Sequence, residues 1–195
     1  MNGQHIVIKE NEAFLVCDRE GNVSAAMADG QGLYYRDTRF LSLYQLTIDE
    51  FAPVLLSAAG ELNFMTTLQL ANAAAVLPNG QALPARSISI RRNRFLFDGL
   101  HERIGFFNYN PFPVRATVRL CFASDFRDMF DVRGYAVRQR HGTIVTPLLC
   151  DTELWLAYRG LDGVERRTVV RFEPAPTRLE VVEPTPAVQP SPRAV

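Results

Sequence analysis

Four aspartates, Asp37, Asp125, Asp128 and Asp131, are the side chains best suited to bond-breaking chemistry in this chain. Two carboxylates held roughly 5–10 Å apart across a substrate can serve as acid and base in glycoside hydrolysis. Asp37 lies between two arginines in "YYRDTRFL", and the other three fall in "ASDFRDMFDVRG" at 123–134. A structural reading competes for the same residues. Asp37 would pair with Arg36 or Arg39, while Asp125 and Asp128 would favour the positive end of a helix dipole. Ion-paired carboxylates are far commoner than catalytic ones, so the structural reading is preferred and no catalytic residue is assigned.

Other chemistries find less support. No G-x-S-x-G motif is present, and Cys17, Cys121 and Cys150 have no histidine near them in sequence. The three cysteines are too widely spaced for a disulfide framework or a zinc pattern, and His5, His101 and His141 are too scattered for a metal motif. No P-loop occurs and no G-x-G-x-x-G follows a strand, so neither a cofactor nor a metal is expected. Aromatic residues offer a binding chemistry instead. Tyr34, Tyr35, Tyr44, Phe106, Phe107, Tyr109, Phe112 and Trp155 are candidates for stacking on sugar rings, although most of the phenylalanines are needed for a core. If Tyr34 and Tyr35 are extended, one points inward and the other outward.

The elements that would position these residues read as strands. "HIVIK" and "AFLVCD" are short β-type runs, and "DREGN" at 18–22 reads as a hairpin turn. From Phe40 to Asp49 both parities are apolar at the start, which predicts one strand covered on both faces. "ELNFMTTLQL" favours a strand, and "PNGQALP" at 78–84 a loop. In "SISIRRNRFLF" the apolar parity changes around Arg91 to Arg94, predicting a bulge. "RATVRLCFA" alternates cleanly, with Ala116, Val118, Leu120 and Phe122 on one side. Asp162-Gly163 marks a hairpin. Turn signals recur about every 8–12 residues, which predicts an all-β fold, a large antiparallel β-sandwich of supersandwich-like size. One short helical turn is expected in 123–134, with Ser124 as N-cap and Phe126, Met129 and Phe130 on one face.

The 195 residues suit one domain, expected over 1–176, with a candidate edge strand at "RLEVV" and a proline-rich tail or linker over 177–195. The 21 basic and 21 acidic side chains cancel, which argues against a nucleic-acid or anionic-membrane partner. Lys9 is the single lysine, so arginine carries nearly all the positive charge. Arginine favours bidentate pairing with carboxylates. The amino terminus lacks the basic start and long apolar core of a signal peptide, and a cytoplasmic location is expected.

Two long blocks carry a family resemblance. The Y-Y-R-D-T-R-F-L block at Tyr34 to Leu41 and the F-x-x-D-F-x-D-x-F-x-V-R-G block at Phe122 to Gly134 resemble the amino-terminal domain of bacterial and archaeal glycogen debranching enzymes of the amylo-α-1,6-glucosidase type. The resemblance runs from about Phe14 to Phe172. It implies a β-sandwich packed against a separate, C-terminal α/α-barrel that carries the catalytic acid and base. It also marks Tyr34, Tyr35, Arg36, Asp37, Thr38, Arg39, Asp125, Asp128 and Arg133 as candidate interface or ligand-rim positions. Arg36, Asp37 and Arg39 are expected to pair among themselves or across to Asp125 and Asp128.

Three functional readings follow. The first is a non-catalytic accessory domain of a glycogen-debranching glycoside hydrolase. The second is a self-standing α-glucan-binding module using Tyr34, Tyr35 or Trp155. The third is a stand-alone interaction domain with no carbohydrate role.

Overall fold

The structure is a computed structural model that describes residues 5–24, 30–77, 80–135 and 142–181. In chain order, β1 (Ile6–Glu10) and β2 (Ala13–Cys17) form a hairpin and lead to the short β3 (Val23–Ser24). A second hairpin joins β4 (Gly32–Tyr35) to β5 (Thr38–Leu41), followed by β6 (Leu43–Ile48). Then come β7 (Val54–Leu62), β8 (Met65–Ala71), the two-residue β9 (Ala75–Val76) and β10 (Ala82–Leu83), β11 (Ile88–Leu96) and β12 (Leu100–Asn108). After β13 (Val118–Ala123) and the one-turn helix α1 (Met129–Val132) come β14 (Thr143–Cys150), β15 (Glu153–Arg159) and β16 (Glu165–Arg171), the last strand among the described residues.

These strands make antiparallel sheets ordered β1-β2-β4-β5, β13-β6-β3, β12-β11-β8-β7 and β14-β15-β16, with β9 and β10 as a small ribbon. The fold is the all-β, antiparallel sandwich that the turn spacing predicts. Two apolar clusters bind its layers. Ile8, Leu15 and Cys17 of the first sheet pack with Leu41, Tyr44 and Leu96, while Leu46 and Ile48 of β6 pack with Leu70, Ile88 and Ile90. The first two sheets thus contribute one side of the core and β7-β8-β11-β12 the other. Among the described residues no helix is long and apolar enough to cross a membrane.

Several local expectations are corrected. The run from Phe40 to Asp49 is two strands, because the chain leaves the first sheet at Ser42 and enters the second. Arg39 and Leu41 are buried before the break, and Tyr44, Leu46 and Ile48 after it. The doubled apolar parity records that change of sheet. "DREGN" does turn, with Asp18 N donating to Asn22 O at 2.9 Å, but β2 and β3 on either side lie in different sheets. In "RATVRLCFA" the strand begins only at Val118, which is itself exposed, so Leu120 and Phe122 alone reach the core clusters. Within the expected loop at 78–84, Ala82 and Leu83 form β10, while residues 78 and 79 lie outside the described residues.

No bulge interrupts β11. Its register against β12 and β8 is continuous, and Ile88, Ile90, Arg92, Arg94 and Leu96 all face inward. The parity never changes; two arginines occupy core positions. The edge strand expected at "RLEVV" does not form over 178–181, and residues 182–195 of the tail lie outside the described residues, as does His141.

Candidate functional site

Nearly all of the residues of the "YYRDTRFL" block belong to the β4–β5 hairpin. Tyr35 pairs with Thr38, which leaves Arg36 and Asp37 as the two central residues, with φ of +43° and +60°. Positive φ at both positions is the pattern of a type I′ turn, normally given to Asn-Gly because side chains with a full Cβ resist it. The charged pair therefore forms a hairpin tip. Arg36 Nε donates to Glu12 Oε2 at 2.8 Å, an exposed pair of small energetic weight. Tyr34 is 1% exposed and Tyr35 44% exposed, the opposite directions that adjacent strand residues take. Tyr34 stacks on Phe14 with ring centroids 4.7 Å apart, and its hydroxyl donates to Gly30 O at 2.9 Å. Burial pushes the Tyr34 phenol up, and Arg39 draws it partly back.

Arg39 anchors the hairpin from beneath. Its side chain is buried, Nε donates to Asp125 Oδ1 at 3.0 Å, Nη2 donates to Asp125 Oδ2, and Nη1 donates to Gln31 O at 3.1 Å. Burial opposes this charge, but the hydrogen bond to Asp125 and its negative charge outweigh it and raise the guanidinium's pKa. Gly32 makes the room: a Cβ there would lie 2.5 Å from Arg39 Cδ. The expected pairing of Asp37 with Arg36 or Arg39 is not what forms, since Arg36 takes Glu12 and Arg39 takes Asp125. The expected reach from Arg39 across to Asp125 does form.

The 125–133 segment receives the hairpin through its backbone. Arg39 N donates to Arg127 O at 2.8 Å, Met129 N donates to Asp37 O at 2.7 Å, and Thr38 bridges to Asp128. The N-cap of α1 is Asp128, whose Oδ1 accepts from Phe130 N at 2.8 Å, and not Ser124. Ser124 Oγ instead donates to Phe40 O, as does Thr168 Oγ1 at 2.5 Å, which ties the last sheet to the body. Phe126 has left the helical face for a left-handed conformation at φ +52°, buried between Phe40 and Tyr158. Arg133 caps the other end of α1 and is exposed. Beside it the rings of Phe130 and Tyr135, 51% and 65% exposed, meet edge to face.

A second charged cluster lies in the core, and sequence reasoning missed it. Glu102 takes both inward arginines of β11: Arg92 Nε at 2.6 Å and Arg94 Nε at 2.8 Å. Arg92 Nη1 also donates to Glu20 O and Asn22 Oδ1, whereas Arg94 Nη1 and Nη2 are buried without a hydrogen-bond partner. The Tyr44 ring lies 5.1 Å from the Arg92 guanidinium and 4.9 Å from that of Arg94, a cation–π contact with each. Burial pushes the Tyr44 phenol up to about 12. Burial also works against a charged Glu102, yet Arg94 and Arg92 prevail and hold its carboxyl below the ordinary range. The legible signal was the persistence of period two through Ile88, Ile90, Arg92, Arg94 and Leu96, with Asp98-Gly99 as a hairpin signal that sets Arg94 opposite Glu102.

Glu102 and Tyr44 also line a cleft of about 1090 Å³ between the first sheet, the β12 edge and β16. Tyr35 and Phe40 line one side, Phe97 to Gly99 another, and Arg167 to Glu173 the third. The aromatic platform imagined from sequence is not assembled as one surface. Tyr34 and Tyr44 are buried, Trp155 lies on β15 under Arg167, and Phe107 with Tyr109 forms a separate exposed pair. Among the described residues no cluster of three metal-ligating side chains occurs.

The sequence family described as the N-terminal domain of (some) glycogen debranching enzymes matches residues 8–188. The chain belongs to this family. Comparisons with curated proteins and with solved structures find no significant match to either. For a glycogen debranching enzyme's N-terminal domain, the arrangement has a clear division. The hairpin and the 125–133 segment form a braced edge that ends in exposed aromatic and arginine side chains. The cleft is a recess floored by a locked ion cluster.

Proposed function

We propose that this chain is a non-catalytic β-sandwich domain that supports a separate, C-terminal α/α-barrel catalytic domain. The parent is a cytoplasmic glycoside hydrolase of the amylo-α-1,6-glucosidase type, and the domain helps shape its α-glucan site. The observation that carries this reading is the braced edge. Tyr35, Arg36, Phe130, Arg133 and Tyr135 are displayed beside a hairpin whose backbone and Arg39 are fixed to the 125–133 segment. Aromatic and arginine side chains on a rigid support are the usual anchors of a protein interface.

Co-expression with the proposed α/α-barrel catalytic domain tests the reading. The expected result is a stable association that Phe130→Ala and Tyr135→Ala each weaken about tenfold, the effect of removing an interface anchor. Glucose released from glycogen by this chain alone overturns it, as does the absence of any association.

A further inference from the structure

We propose that the cleft between the first and last sheets binds a neutral polyhydroxylated chain, an α-glucan, with Phe97, Asp98 and Glu173 as its contact residues. The choice of glucan rests on the reading of the chain as part of a glycogen-debranching enzyme; the choice of a neutral polyol rests on the cleft itself. At about 1090 Å³ it lies at the upper end of the volumes that hold small-molecule ligands, so several sugar units fit.

Its charges select the chemistry. The two arginines in the lining are paired, Arg167 with Glu165 at 2.5 Å and Arg171 with Glu153 at 2.6 Å. Against them the lining sets the carboxyls of Glu10, Glu12, Asp98, Glu102 and Glu173, an excess of negative charge that disfavours a phosphate or carboxylate. Of these, Asp98 and Glu173 line it with no side-chain hydrogen bond or ion pair among the described residues. An ionised carboxylate is a pure acceptor with two oxygens, a match for neighbouring sugar hydroxyls. A wholly apolar occupant would strip water from both carboxylates and return no hydrogen bond, which is costly.

The rings supply the other half of sugar recognition, a flat apolar surface for the C–H faces. Phe97 is 69% exposed, and its turn holds it at the cleft rim. Phe97 N donates to Gly99 O at 2.9 Å, Asp98 has φ +50°, and His101 Nε2 donates to Phe97 O at 2.9 Å. Across the cleft Tyr35 and Phe40 meet edge to face, and Phe172 rests against Phe122. Aromatic faces and unpaired acceptors thus converge on one recess from three separate elements.

Calorimetric titration of the folded chain with maltoheptaose tests this. Saturable binding is expected, weakened roughly three- to tenfold by Phe97→Ala and comparably by Asp98→Ala, the loss of one aromatic or hydrogen-bond contact. Phe107→Ala, at the exposed aromatic pair outside the cleft, should leave it unchanged. No heat at tens of millimolar sugar overturns the proposal, as does binding that survives both cleft variants or is lost with Phe107→Ala. Stronger binding of an arginine-rich peptide than of the sugar also overturns it. Association with the downstream catalytic domain, measured on the same variants, moves independently: an intact association without sugar binding removes the cleft site and leaves the accessory-domain reading standing.

Discussion

Glu102→Gln puts the buried arginine layer to a direct test. One carboxylate serves two guanidinium groups whose side chains are fully buried, and its own side chain is 7% exposed. Removing one partner of a buried pair costs about 3–5 kcal/mol, because the remaining charge has no solvent to turn to. Here two charges are stranded. Arg92 keeps Glu20 O and Asn22, whereas Arg94, without hydrogen-bond partners at Nη1 and Nη2 among the described residues, keeps the Tyr44 ring, and the variant's one amide oxygen can serve a single guanidinium without neutralising it. The expected loss is therefore at the upper end, about 4–5 kcal/mol, read as a fall of roughly 8–20 °C in Tm for a chain of this size. Acid unfolding adds an independent readout. Glu102's carboxyl is held below its ordinary value, so its stabilising contribution is complete above the unfolded value of about 4.3 and is lost as pH falls toward the folded value. The variant should lack that part of the acid-side decline. A triple change, Arg92→Met, Arg94→Leu and Glu102→Leu, removes every charge of the layer and should recover most of the lost stability. A loss below about 1 kcal/mol in Glu102→Gln, or a triple variant worse than the single one, refutes the account.

Arg39→Ala removes the bidentate contact to Asp125 and the bond to Gln31 O, and leaves Asp125 partly exposed, so about 3 kcal/mol is expected in urea unfolding with weakened docking to the catalytic domain. Unchanged stability and docking would show that the hairpin is held by its backbone bonds alone. The three free thiols should separate under a thiol reagent: Cys150 is exposed and reacts first, while Cys17 is fully buried and reacts only on unfolding. Burial raises the Cys17 thiol pKa and Arg94 offsets part of the rise, so raising the pH to 9 should not bring it into the fast phase. Fast labelling of Cys17 in the folded state, located by mass spectrometry, would contradict the packing of β2.

The fold class was legible because turn residues and short β-type runs act locally, and the Asp162-Gly163 hairpin closes between β15 and β16 as its dipeptide requires. Departures arose wherever a side chain's place depended on a partner distant in sequence. Arg91 to Arg94 read as a change of parity and a bulge, because burying an arginine is costly alone. Glu102 and the Tyr44 ring supply the partners, and Tyr44 arrives from another sheet. Ser124 reads as an N-cap by local rules, but the carbonyl of Phe40, 84 residues earlier, claims its hydroxyl. The same limit applies to function. The nine candidate positions centre on one edge because hairpin and segment are each continuous in sequence; the Arg39–Asp125 contact was one of several pairings that charge allowed, and charge did not select it. Asp98 read only as part of a turn and Glu173 as nothing in particular; the two come to line one recess only when the end of β16 lies beside the β11–β12 turn.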